Sequence, residues 1–118
     1  MPTLLIVDDH ASFRSFARSL LSADGFDVAG EVEDGESAID AVEELHPDVV
    51  LLDVNLPGMD GFEVARRVAR DRHAPAVVLT SSREAADFGG RLADSPARGF
   101  IPKRELSGAA LSALVASS

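Results

Sequence analysis

The chain has 118 residues, with 20 Asp and Glu against 11 Lys and Arg, for a formal charge of −9. That length suits one domain with its own core, while the acidic balance argues against direct nucleic-acid binding, since it repels phosphates. The absence of Cys excludes a disulfide framework and a thiolate metal site, no apolar run is long enough to span a membrane, and Met1-Pro2-Thr3 lacks a signal peptide's basic region, so a cytoplasmic location is expected.

Residues 3–7, Thr-Leu-Leu-Ile-Val, read as a first strand that ends at Asp8-Asp9. Over residues 12–23, Phe13, Phe16, Ala17, Leu20 and Leu21 recur at three- and four-residue intervals and define a helix stripe, with Gly25 as its stop. Residues 26–32 are polar and alternating, as expected of an edge strand. The Asp34-Gly35 turn leads into a second helix over residues 36–45, with Ala38, Ile39, Val42 and Leu45 facing inward, and Pro47 ends it. Residues 49–53, Val-Val-Leu-Leu-Asp, are four consecutive apolar residues running into a carboxylate, the pattern of a parallel strand buried on both faces.

After the Pro57-Gly58 turn, residues 61–70 form a third helical pattern with Phe62, Val64, Ala65 and Val68 apolar. Residues 76–80 read as a fourth strand. Residues 83–94 have a helical pattern weakened by Gly89-Gly90, each Gly costing about 1 kcal/mol relative to Ala, so this helix is expected to be weak and mobile. Residues 99–103 form a short fifth strand, placed at an edge because Pro102 lacks a ladder donor. A final helix over residues 105–115, capped by Ser107, presents Leu106, Ala110, Leu111 and Leu114. Strands alternating with amphipathic helices predict an α/β domain.

Open α/β sheets place their chemistry at the carboxyl ends of the strands. Asp8, Asp9 and Asp53 fall there, with Thr80 and Lys103 at the ends of two further strands. Each has an ordinary reading alone: an acidic pair at a helix N-terminus, a strand-end hydroxyl, a solvated Lys. Three crowded carboxylates, however, disfavour ionisation of at least one member unless a cation is present. A hard divalent ion with oxygen ligands, Mg²⁺, suits them, and such an ion assists phosphoryl transfer. Carboxylates act as nucleophiles that become aspartyl phosphates, and Thr80 and Lys103 supply a hydroxyl and an ammonium for phosphoryl oxygens. His10 is read as a pocket-rim residue, because Mg²⁺ prefers oxygen. His46 and His73 flank predicted helix ends without a visible constellation.

Four segments in order carry a resemblance: Asp8-Asp9; Asp53-Val54-Asn55-Leu56-Pro57-Gly58-Met59-Asp60-Gly61; Val78-Leu79-Thr80-Ser81; and Gly99-Phe100-Ile101-Pro102-Lys103. Together they resemble the response-regulator receiver domain of two-component phosphorelay signalling, over almost the whole chain, as one receiver domain at 1–118. The resemblance implies a flavodoxin-like (CheY-like) fold: a five-stranded parallel sheet of order 2-1-3-4-5 with helices on both faces. It implies Asp53 as the phosphorylated residue, Asp9 as a direct Mg²⁺ ligand, Asp8 acting largely through bound water, and the Asn55 backbone carbonyl completing the metal site. Thr80 matches the hydroxyl that moves toward the phosphoryl group, Lys103 the basic contact, and Phe100 the aromatic switch.

By the same resemblance the partners are a sensor histidine kinase or His-phosphotransfer protein and an unidentified downstream target, with homodimerisation through the final helices left open. The domain would not be a conventional enzyme, though it would catalyse its own phosphorylation and dephosphorylation. Three departures stand out: Arg104 follows Lys103 where most receivers have Pro, Ser81 replaces the usual Ala or Gly, and residues 93–98 read as irregular, so that the Gly89-Gly90 region is expected to make an unusual output face. The rival readings are a small Mg²⁺-dependent phosphohydrolase using Asp53, which has Asn55 where its general acid is expected, and a phosphorylation-independent interaction module.

Overall fold

The computed structural model describes residues 1–116. Its strands are β1 (Thr3–Val7), β2 (Asp27–Val32), β3 (Val49–Asp53), β4 (Ala76–Ser81) and β5 (Gly99–Pro102). They form one parallel sheet in the order β2-β1-β3-β4-β5. The intervening helices are α1 (Ala11–Ala23), α2 (Gly35–Leu45), α3 (Gly61–Val68) and α4 (Arg91–Asp94), and α5 (Gly108–Ala116) follows β5. The expected order and edge positions of β2 and β5 are those observed.

Two apolar cores sandwich the sheet. Leu4, Ile6, Val49, Leu51 and Val78 meet Ala17 and Leu21 of α1 and Leu111 of α5 on one face. Leu5, Val7, Val50, Leu52 and Leu79 meet Ala38 and Val42 of α2 and Phe62, Val64, Ala65 and Val68 of α3 on the other. Alternate residues of β1 and β3 therefore enter opposite cores, which explains why these strands show no polar alternation. Each large side chain buried this way contributes roughly 1.5–3 kcal/mol.

Two Asp-Gly pairs set the starts of α2 and α3. Asp34 accepts a hydrogen bond from Ser37 N at 2.8 Å, and Asp60 accepts one from Glu63 N at 2.9 Å. These are N-caps, worth about 1 kcal/mol each. Gly61 is required by close approach: a Cβ there would lie 2.5 Å from the Asp53 carbonyl oxygen and 2.7 Å from Val54 Cα. The missing side chain lets α3 begin directly against the end of β3.

Several sequence expectations shift. The predicted helix at 83–94 is a 3₁₀ turn (Ala85–Phe88) and the single turn of α4, separated at Gly89, whose φ of 55° and ψ of −135° suit only glycine. The third helix stops at Val68 rather than residue 70, and the final helix begins at Gly108 rather than 105, after a short 3₁₀ turn at Lys103–Glu105. Ser107 does cap α5, its hydroxyl accepting from Ala110 N at 3.0 Å. Phe16 and Leu45, assigned to apolar stripes, are exposed, although Leu45 still lies over Gly30 of the edge strand β2.

Candidate functional site

The strand order changes direction at β1 and β3: the chain builds outward from β1 to β2, then crosses back to β3. The resulting crevice at the strands' carboxyl ends is where ligands of open α/β sheets bind. Asp8 and Asp9 leave β1 there and Asp53 ends β3. Asp8 is fully buried and Asp53 is 2% exposed. One ligand atom from each of Asp8, Asp9, His10 and Asp53 lies within 4.8 Å of the others, the one such cluster of three or more potential metal ligands among the described residues.

Lys103 enters the same crevice from the end of β5. Its Nζ stands 2.6 Å from Asp8 Oδ2 and 3.5 Å from Asp53 Oδ2, so it pairs more closely with Asp8 than with Asp53. The first contact is an ion pair only: Asp8 Oδ2 is buried and accepts no hydrogen bond. Asp8 Oδ1 accepts from His10 N at 2.8 Å. Replacement of Pro by Arg104 does not keep Lys103 from the crevice. Arg104 instead forms an exposed ion pair with Glu84 at the start of the 3₁₀ turn.

The environment acts on the Asp53 carboxyl. Burial pushes it up from 3.8 to about 6; the Asn55 amide, at 3.1 Å from Oδ1, opposes this, the Asp8 charge adds to it, and Lys103 opposes it. Burial is the largest of these effects and prevails. Crowded carboxylates with an unsatisfied buried oxygen fit a hard cation with oxygen ligands. The donor set is therefore compatible with Mg²⁺, and His10 is the one nitrogen ligand in the cluster. Its Nδ1 lies 3.2 Å from Asp8 Oδ1 and 3.1 Å from Asp9 Oδ1, and its side chain is 66% exposed, consistent with a place on the rim.

Thr80 lies beside Asp53 in the β3–β4 register. Its buried hydroxyl donates to the Ile101 carbonyl at 2.6 Å, so it is engaged with β5 rather than with the crevice. Ser81 Oγ accepts from Asn55 Nδ2 at 3.2 Å and from Arg83 N at 3.1 Å. Phe100 is half-buried, its ring centroid 5.6 Å from Phe88, which in turn lies 5.8 Å from Phe62.

Two further residues were not singled out by sequence reasoning. Phe13 lies under Lys103 Nζ at 4.4 Å from its ring centroid, a cation–π contact worth roughly 0.5–1 kcal/mol. The Arg14 guanidinium donates to the Asp8 carbonyl oxygen at 2.6 Å. Helical periodicity assigned Phe13 to the core stripe and gave Arg14 no role, since it reports a side chain's face and not its reach.

Fold and site together define a parallel α/β domain with an acidic, lysine-flanked pocket at its topological switch point. The family model of the response regulator receiver domain matches residues 4–115, and the chain belongs to this family. The DNA-binding transcriptional activator EvgA of Escherichia coli is 32% identical over 101 residues, covering 86% of this chain and 50% of EvgA. The DNA-binding response regulator MtrA of Mycobacterium leprae is 44% identical over 84 residues, covering 71% of this chain and 37% of MtrA. The chain thus spans half or less of these relatives' length. The signal receiver domain of NarL from Mycobacterium tuberculosis superposes with a TM-score of 0.84 at 32% identity, covering 96% of this chain and 95% of that one.

Residues 4–115 are thus a receiver domain of the two-component response-regulator type. Such domains are typically not conventional enzymes; they bind Mg²⁺ in an acidic pocket and act between histidine kinases and downstream effectors. Among the described residues, no helix is long and apolar enough to cross a membrane.

Proposed function

We propose that residues 1–118 act in the cytoplasm as one receiver unit that takes a phosphoryl group onto Asp53 from a phosphohistidine on a sensor kinase or phosphotransfer protein. Asp8, Asp9, Asp53 and the Asn55 backbone carbonyl are the assigned Mg²⁺ ligands. The observation that carries this reading is a buried Asp53 sharing one crevice with Asp8, Asp9 and Lys103.

In the transfer, an Asp53 carboxylate oxygen attacks phosphorus as the bond to the donor imidazole nitrogen breaks. The electron pair leaves with the imidazole, which takes a proton from water. Bound Mg²⁺ supplies charge neutralisation for the phosphoryl oxygens. Lys103 contributes a second positive charge, held in place by Asp8 and the Phe13 ring. To reach a phosphoryl oxygen, Thr80 must release the Ile101 carbonyl, which frees a contact on β5 next to Phe100. The phosphoryl group's charge of about −1.5 to −2, in place of the single charge of the carboxylate, thereby biases the packing of Phe100 against Phe88, a population shift across α4, β5 and α5. A downstream target, or a second copy, reads that face.

Incubation with a small acyl phosphate and Mg²⁺ is expected to leave an acid-stable, base-labile phosphate adduct on the wild type and none on Asp53→Asn. Equal labelling of the variant refutes the assignment. An unlabelled wild type supports a phosphorylation-independent module, and turnover of small phosphomonoesters supports a phosphohydrolase.

A further inference from the structure

His46 and His73, separated by 27 positions in the chain, meet at the end of the sheet opposite the acidic crevice. Their ring centroids lie 5.2 Å apart with the planes at 77°. They line a cavity of about 450 Å³ together with Pro47, Asp48, Ala74 and Pro75. The two loops enter β3 and β4, whose first residues Val49 and Ala76 are register partners.

Both loops are held by hydrogen bonds near the two rings. Asp48 accepts from Thr3 N at 2.8 Å and from Thr3 Oγ1 at 3.2 Å, while its own N–H donates to Thr3 Oγ1 at 2.9 Å. Asp71 Oδ1 accepts from His73 N at 2.8 Å. His46 is the single non-glycine residue with positive φ among the described residues, at φ 46° and ψ 55°. A position that favours Gly or Asn carries an imidazole instead.

The geometry points to a transition-metal site: we infer that His46 and His73 together bind a borderline divalent cation of the Zn²⁺ type, with Asp48 at the edge of the same cavity. Imidazole suits Zn²⁺, Cu²⁺ and Ni²⁺ and does not suit Mg²⁺. With Zn–N bonds of about 2.0–2.1 Å and tetrahedral angles, two coordinated imidazoles have centroids about 5 Å apart, close to the separation observed. The formal charge of −9 favours a cation over an anion in this cavity. Asp48 is engaged with Thr3, so the histidines supply the two protein ligands and water the remaining positions. β3 separates this cavity from the acidic crevice by roughly 15 Å, and the inference does not rest on the phosphoacceptor reading.

The test is a Zn²⁺ titration of the full chain in saturating Mg²⁺, followed through the ring nitrogens of all three histidines by NMR. His46 and His73 are expected to shift together and saturably. His46→Asn, chosen because Asn tolerates the left-handed backbone, and His73→Gln are each expected to weaken binding at least about tenfold. His10→Gln is expected to leave both shifts unchanged. No saturable shift on either ring up to millimolar Zn²⁺, or shifts that disappear in His10→Gln, would overturn the site.

Discussion

The raised Asp53 carboxyl makes a prediction about stability that is separate from phosphorylation. Its pKa in the folded protein, about 6, lies above the ordinary 3.8. A carboxyl raised in this way contributes stability present below its unfolded pKa and lost as pH rises through the folded value. The change from 3.8 to about 6 corresponds to about 3 kcal/mol at 1.36 kcal/mol per decade. Water at the mouth of the crevice screens part of it, leaving about 2 kcal/mol. Asp53→Asn keeps the shape and removes the charge, so in metal-free buffer at pH 7.5 the variant should melt about 5–10 °C higher than wild type. The gap should close between pH 6 and pH 4, where wild type takes up its proton. Saturating Mg²⁺ should narrow the gap at pH 7.5 by stabilising wild type more than the variant. Thermal unfolding followed by circular dichroism across pH 4–7.5, with and without Mg²⁺, makes the measurement. A gap that is absent, reversed or constant with pH would refute the claim that burial outweighs Lys103 at this carboxyl.

Lys103→Met leaves the buried Asp8 charge without its 2.6 Å partner; urea unfolding in metal-free buffer should show a loss of about 3–5 kcal/mol, partly restored by Mg²⁺. In Gly61→Ala the new Cβ would sit 2.5 Å from the Asp53 carbonyl oxygen, against backbone that cannot rotate away. A cost of about 3 kcal/mol is expected, read by urea unfolding and accompanied by slower acyl-phosphate labelling as the end of β3 shifts. Thr80→Val removes the hydroxyl that donates to Ile101 O. About 1 kcal/mol of stability should be lost, and the phosphorylation-dependent change in the Phe100 aromatic NMR signals should disappear while Asp53 is still labelled.

The sheet and the acidic crevice were legible because their signals are local. Residues 49–53 carry four apolar side chains running into Asp53, bounded by turn signals, and this is the pattern of a strand buried on both faces. Four such segments in order then fix where the carboxylates converge. Partner choice within the crevice was not legible: Lys103 is expected to meet phosphoryl oxygens, and nothing in the sequence says that its nearer carboxylate is Asp8 rather than Asp53, a matter of side-chain reach after the fold is set. The His46–His73 contact was hidden for the same reason, since it depends on β3 and β4 starting side by side. Phe16 misled because a 3.6-residue period marks which side chains share a helix face, but not how far the sheet extends beneath that face.

The region between β4 and β5 shows how local weakness is compensated by side chains. A 3₁₀ turn, a glycine with positive φ and one α-turn provide little backbone cooperativity. The segment is fastened instead at a few points. Phe88 lies between Phe62 of α3 and Phe100 of β5. Arg91 lies over the Phe62 ring at 4.2 Å and donates to Asp60 Oδ2 at 2.9 Å. Asp60 is also the cap of α3, and although burial raises its carboxyl, the Glu63 amide and Arg91 together hold it below its ordinary value, so it stays ionised for both partners. Glu84 is tied to Arg104, the residue next to Lys103. An element fastened by rotatable side chains rather than by its own helix changes position when one of those side chains turns. Phe100 is the fastening adjacent to the Thr80–Ile101 hydrogen bond, so under the proposed phosphorylation of Asp53 this segment is where the change of surface is expected.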